Sequence, residues 1–432
     1  MTRFQLIFTG VLVALGIAGA VIFAISKNGS SQGPAAVVMW GTIPADEMNS
    51  FLSKVTPDNR STLNVSYVQK DSSTFESDLI AALANGQGPD MVLLPQDLIL
   101  KELNKFYVVP FANYSERTFQ DSFIQEGELY LTSNGVIGFP FTVDPMVMYW
   151  NRDTFSNAGV SEPPVSWAQF FDLAPKMTIK DSNNNIVESA LAFGESTNVA
   201  HFKDILSLLS LQAGTPIVAA DSQGNLKSEL DASIGQGLVP GEEALSYFTQ
   251  FSNPLKTIYS WNRAMPLDRD AFVAGQLAVY FGYASELTAI RAANPNLNFD
   301  VAMVPQSGTK KLTFGNMEAI ALLKSSKNVS SAFTAAVTLT SAPLATEWSS
   351  ETGMPPVRRD LLATLPGDAA ASIFYQSALI SIAWLDPNRE ATAQVFSAMV
   401  ENVISGNLLV SDSVKAASDS IDSYLRADSS GS

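Results

Sequence analysis

The sequence predicts an α/β protein of two lobes built on doubly wound sheets flanked by helices, behind one N-terminal membrane-spanning helix. Three observations carry that expectation: a length of 432 residues, a strand-and-helix alternation from Val37 onward, and an extended segment after Gly138 that changes character at a proline. Single cores stop growing at about 250–300 residues, so a chain this long divides, and two units is the simplest count. Strands alternating with amphipathic helices favour parallel pairing, and such sheets meet ligands in the loops beyond the strand carboxyl ends.

Met1 to Arg3 open with positive charge, and in Phe4 to Ile25 only Gln5 and Thr9 are clearly polar. At about 1.5 Å per residue a helix over that stretch spans roughly 33 Å, close to a bilayer core. A cleaved secretory signal has a shorter apolar region, roughly 7–15 residues. Ala18-Gly19-Ala20 offers a cleavage site, but Val21 to Ile25 extend the apolar run past it. The expectation is an uncleaved single-pass anchor in the cell membrane with the soluble part outside the cytoplasm; secretion after cleavage is the alternative. Residues 1–33 are set apart as this anchor or signal with a Gly/Ser-rich tether, flexible by composition.

Val37 to Trp40 reads as a buried strand followed by Gly41-Thr42, Ala45 to Val55 as a helix, Leu63 to Gln69 as a strand and Ser72 to Asn85 as a helix. Gly86 to Asp90 ends that helix, and Met91 to Leu94 form the third strand. Those glycines follow a helix and precede a strand, the reverse of a phosphate-binding loop. The loops at Trp40–Thr42 and Pro95–Asp97 are therefore the ones placed to meet a ligand.

Gly138 to Val160 organises the rest. An apolar, β-branched and aromatic run is interrupted by Val143-Asp144-Pro145, and Met146 to Trp150 form a second short run. Asn151-Arg152-Asp153 then starts a helix that Gly159 ends. A chain that stays extended through a proline-marked break reads as a crossing between lobes, with a hinge at the break.

Gly138, Pro140, Asp144, Trp150, Asn151, Arg152 and Asp153, followed by Asn157 to Val160, Pro163, Pro164, Ser166 and Trp167, resemble the crossover of family 1 extracellular solute-binding proteins, the receptors of ABC importers. Phe75 to Val92 and Leu267 to Tyr283 resemble further stretches of that family, and Phe299 to Pro305 resembles its second crossover. The matched stretches cover nearly all of residues 37–425. The resemblance implies the maltose-binding-protein-like, type II periplasmic-binding-protein fold, each lobe a doubly wound mixed sheet flanked by helices. It assigns 34–143 and 307–350 to lobe 1, 144–306 and 351–425 to lobe 2, and leaves 426–432 as a disordered tail. Hinges fall near 143–146, 303–307 and 350–356, with Val143, Pro145 and Pro305 as hinge residues. It further implies a monomeric, cofactor-free receptor that binds without catalysis. Such a receptor encloses a small solute, foremost a sugar or oligosaccharide, and delivers it to ABC permease subunits.

Two features depart from the family pattern. The chain has no cysteine, so lipid attachment through an N-terminal cysteine is excluded. Where many sugar-binding members carry a tryptophan, the loop reads Gly282-Tyr283-Ala284-Ser285, which keeps peptides, polyols and polyamines open as solutes.

The remaining elements follow in order. Trp167 to Met177 reads as a helix, and Asp181 to Asn185 as a hairpin turn. A calcium loop there would need glycine and glutamate where Ile186 and Ala192 stand. Leu191 to Gly194 reads as a strand, His201 to Gln212 as a helix stopped at Gly214, and Asp221 to Asn225 as a second turn. Gly241 to Ser252 is a helix, Leu277 to Phe281 and Gly315 to Leu323 are strands, and Ser331 to Thr340, Ala391 to Ser405 and Val410 to Leu425 are helices.

Composition narrows function. A net charge of -16 argues against nucleic acid and anionic membrane surfaces as partners of the soluble part. The absence of cysteine removes disulfides and thiolate chemistry, and one histidine, His201, rules out multi-histidine zinc sites. His201 itself reads as a helix-start residue.

The candidate ligand-binding residues are Trp40, Thr42, Gln96, Asp97, Asp144, Tyr283 and Trp384. Aromatic faces beside carboxylates suit a sugar, ring C–H groups lying on the face and hydroxyls donating to Asp or Gln. In the resemblance, Asp97 corresponds to a sugar-contacting acidic position. Trp150 and Trp167 read as core. An exported glycoside hydrolase using Asp97 and Asp144 as its carboxylate pair is the rival from another class, and a membrane-tethered sensor differs from the receptor only in its partner.

Overall fold

The structure, a computed structural model, describes residues 35–55, 63–308 and 310–430. Its main strands are β1 (Val37–Gly41), β2 (Val65–Gln69), β3 (Met91–Pro95), β4 (Gly138–Asn151), β5 (Ile186–Leu191), β6 (Leu277–Tyr283), β7 (Phe299–Ala302) and β8 (Thr313–Leu322). The order β2-β1-β3-β8-β4-β6-β5 forms one path, with β7 also on β4. β1 pairs in parallel with β2 and β3, and β5 with β6, while β8 and β4 run antiparallel to the strands beside them on this path. The sheet is therefore mixed, and the antiparallel strands are those that cross between lobes.

β4 belongs to both lobes. Gly138 to Pro145 pair with β8, Met146 to Trp150 with β6 and Met148 to Asn151 with β7. The break expected at Pro145 is absent, and β4 runs through it as one strand. Proline holds an extended-compatible φ and forfeits one ladder donor, and here the forfeit falls where the strand exchanges partners.

Two hydrophobic cores divide at this point. One gathers Met39, Phe51, Leu93 and Val143 with Met317, Ala319 to Leu323, Trp348 and Val357. The other gathers Met146 to Tyr149, Trp167, Phe281, Phe314, Trp384 and Phe396. Trp167 packs as expected, its indole N–H donating to Gln212 Oε1 at 2.7 Å, and half-buried Trp150 lies edge-on to Phe155 at 5.1 Å.

Local sequence sets the element ends. Helix α1 (Phe202–Ala213) stops at Gly214, whose φ of 115° suits a residue without Cβ. Helix α2 (Arg389–Ile404) is capped by Asn388, whose Oδ1 accepts the Ala391 N–H at 3.0 Å. Asp181 and Asp221 close their hairpins by accepting backbone N–H groups two and four residues on. The strand expected at Leu191–Gly194 instead ends at Leu191, and Gly194 turns the chain away with a φ of 96°. Helix α3 (Val410–Ser430) passes the expected end at Leu425 because no proline or glycine interrupts it. Phe4 to Ile25 lies outside the described residues. Among those described, no helix is long and apolar enough to cross a membrane.

Candidate functional site

The floor of the cleft is one face of the crossing strands. Asp144 of β4 pairs with Asn316 of β8, and Thr142 with Glu318. Alternate residues share a face, so two carboxylates, an amide and a hydroxyl stand together where the buried residues between them, Val143 and Met317, face a core. Above the floor lies a cavity of about 550 Å³, within the usual size of small-molecule sites, about 300–1,000 Å³. Thr42, Gln96 and Asp97 form one wall and Arg389, at the start of α2, the other. A second cavity of about 550 Å³ shares Thr142 and Asp144 and adds Trp348, Met354, Phe374 and Arg291.

The predicted residues separate in space. Thr42, Gln96, Asp97 and Asp144 line the first cavity together. Gln96 is held at both ends, donating to Gly315 O at 2.7 Å and accepting from Met317 N–H at 3.2 Å. Trp384 borders a small adjoining recess with Gln96 and Asp97, but its ring is buried against Phe396 and its N–H donates to Ser207 Oγ at 3.1 Å. Tyr283 is buried and lines neither cavity. Its hydroxyl donates to Asp204 Oδ2 at 2.7 Å and its N–H to Glu286 Oε1 at 2.9 Å. Trp40 also lines neither, lying within β1 with Lys70 Nζ 3.8 Å from its ring centre. Val143 is buried, Pro145 pairs with Gly315, and the Pro305 carbonyl accepts from Gln212 Nε2 at 3.1 Å. His201 caps no backbone N–H of α1, and its ring sits 2.9 Å from Glu286 Oε1.

Sequence reasoning missed Glu318, Asn316, Arg389, Trp348 and Phe374. Glu318 carried a signal, being the lone acid in an otherwise apolar strand from Met317 to Leu323. Arg389 follows a helix-start sequence, Asp386-Pro387-Asn388. Trp348 and Phe374 lie within helices and carry no such signal.

Burial sets the electrostatics. It pushes the Asp144 carboxyl up to about 6, against the opposing hydrogen bond from Ser285, and Glu318 up to about 7, with Asp97 adding repulsion. Beneath the floor Glu126 is pushed up to about 8 by full burial; its Oε2 accepts from Ser381, and its Oε1 has no partner among the described residues.

Residues 56–374 match the model of the bacterial extracellular solute-binding proteins. The chain belongs to that family. A binding protein of Brucella abortus (strain 2308) is 21% identical over 266 residues, 58% of this chain and 58% of the relative's length. An ABC transporter solute-binding protein from Thermotoga lettingae TMO, bound with α-D-tagatose, superposes with TM-score 0.66 at 21% identity, over 90% of this chain and 99% of that one. The cyclic α-maltosyl-1,6-maltose binding protein of Arthrobacter globiformis gives TM-score 0.74 at 16% identity, over 91% and 100%. At these identities the likeness is one of fold, and the fold is the two-lobed α/β one. Family membership places the soluble part outside the cytoplasm. In this solute-binding protein one ion pair joins the two cores across the cleft among the described residues: Arg389 Nη1 to Asp97 Oδ2 at 3.1 Å.

Proposed function

We propose that this chain is the substrate-binding receptor of an ABC importer, shutting its lobes on a sugar or oligosaccharide and passing it unaltered to membrane permease subunits. The supporting observation is a polar cavity walled by both cores over a floor of strands common to both. Sugar hydroxyls would donate to Asp97, Asp144 and Glu318 and accept from Arg389, and a ring face would lie on Trp348 or Phe374. Tagatose and the cyclic maltosyl-maltose, named with the two similar structures, have this chemistry.

Closure turns on Val143, Pro145 and Pro305, with the third hinge at 350–356. Moving a two-state balance from 1:99 to 99:1 needs about 5.5 kcal/mol of differential affinity. Hydrogen bonds to charged groups contribute about 1.5–3 kcal/mol each, so two to four suffice. Phe4 to Ile25 would hold this monomer at the membrane as a single-pass anchor.

The test is a panel of mono- and oligosaccharides, amino acids, peptides and polyamines, read by thermal shift and by reducing-end release. Stabilisation by a sugar with no product is the expected result. Stabilisation by non-sugars alone would remove the sugar reading, and released reducing ends would make the protein a hydrolase.

A further inference from the structure

The charge of the cleft narrows its solute. Five acids and two bases line the first cavity, and both bases are already engaged. Lys101 Nζ lies 2.6 Å from Glu76 Oε1, and Arg389 Nη1 lies 3.1 Å from Asp97 Oδ2. The two floor carboxylates have no such cation. Asp144 accepts the Ser285 N–H at 3.0 Å, and Glu318 accepts the Thr42 hydroxyl at 3.3 Å. Neither has an ion-pair partner among the described residues. The second cavity repeats the imbalance, with Glu47, Asp144 and Asp368 against Arg291.

Position makes this imbalance consequential. The ladder sets Asn316 opposite Asp144 and Glu318 opposite Thr142. The two acids are thus diagonal neighbours on one face, about 7–8 Å apart at the backbone. Both residues line the first cavity. Burial already disfavours their charged forms, so an incoming cation would relieve a cost that a neutral group leaves in place. In the first cavity an incoming anion would meet like charge, with both bases there already paired to carboxylates.

Resting on the sugar reading above, we infer that the solute carries an amino group seated between Asp144 and Glu318 and no acidic group: an amino sugar or an aminated oligosaccharide. The ammonium would donate to both carboxylates, and the remaining hydroxyls would reach Asn316, Thr142 and the Asp97–Arg389 pair.

The experiment titrates the full chain calorimetrically with matched mono- to trisaccharides of glucose, glucosamine and glucuronic acid, in α-1,4 and β-1,4 series. The glucosamine compound binds about tenfold tighter than its glucose counterpart, the difference one charge-assisted hydrogen bond supplies. The glucuronate compound binds most weakly. Raising salt from about 0.05 to about 0.5 M shrinks the glucosamine preference, and in Glu318→Gln the glucosamine-to-glucose affinity ratio falls toward one. The salt series keeps the inference testable should the variant fail to fold. Glucose compounds binding as tightly as glucosamine ones, or glucuronates binding best, would overturn the inference and leave the sugar receptor standing. Binding by no sugar in either series would overturn both.

Discussion

Replacing Arg389 by glutamine removes the ion pair that spans the cleft while keeping most of the side chain's length. The contact is one-armed, Nη1 to Oδ2 at 3.1 Å, with the arginine side chain 57% exposed and that of Asp97 19% exposed. Two unit charges 4 Å apart attract by about 1 kcal/mol in bulk water and about 4 kcal/mol at a partly screened protein surface. Exposed pairs deliver about 0.2–1 kcal/mol once side-chain entropy is counted. The sheltered Asp97 puts this one at the upper end, about 1 kcal/mol, or roughly a fivefold change in an equilibrium. The rest of the arginine's anchorage survives the change, because Asn388 caps the helix and Lys203 Nζ donates to the Arg389 carbonyl at 3.2 Å. The expected result is a roughly fivefold smaller closed population in ligand-free protein. A dye pair on cysteines introduced one per lobe reads it by energy transfer, the chain having no cysteine of its own. Salt should lower the closed population of the unaltered protein and leave that of Arg389→Gln unchanged. Equal closed populations in the two proteins at low salt would refute the reasoning.

Three further outcomes follow from the same geometry. Asp144, Glu318 and Glu126, raised to about 6, about 7 and about 8, hold protons more tightly folded than unfolded. Their contribution is therefore fully present in acid below the ordinary carboxylate range and is lost as pH rises through those values. His201 acts in the same direction: burial opposes its protonation, but Glu286 outweighs that and raises its pKa. The melting temperature should rise on acidification from about pH 8 to about pH 5, and Asp144→Asn with Glu318→Gln should flatten that rise; an equally steep profile in the double variant would count against it. Gly315→Ala would put a Cβ 2.0 Å from Ser381 Oγ and 2.2 Å from Glu126 Oε2. Overpacking of that kind costs about 3 kcal/mol, and calorimetry should show a melt lowered by on the order of 5 °C. Pro145→Gly should loosen the open/closed balance with both lobes folded, so scattering should find a more expanded ligand-free protein; identical ligand-induced compaction would remove Pro145 as a hinge.

Much of the fold was legible because its units are local. The strand at Val37, the helix before Gly214 and the Asp181 and Asp221 turns each rest on periodicity or one residue's conformational preference. The loops after parallel strands were legible too, and Thr42, Gln96 and Asp97 border one cavity with Asp144. What could not be read depends on partners distant in sequence. Pro145 looks like a break until β8 and β6 are known to exchange beside it. Tyr283 and Trp384 look like free aromatics until Asp204 and Ser207 occupy their polar atoms. Glu318 looks like a strand residue until Thr142 stands opposite.

Because β4 feeds both cores, neither half of this molecule can be excised by a single cut. Removing everything before Met146 strips β8 of a neighbour, and removing everything after Pro145 takes β8 away and leaves Gly138 to Pro145 unpaired. The two halves should therefore melt in one shared calorimetric transition.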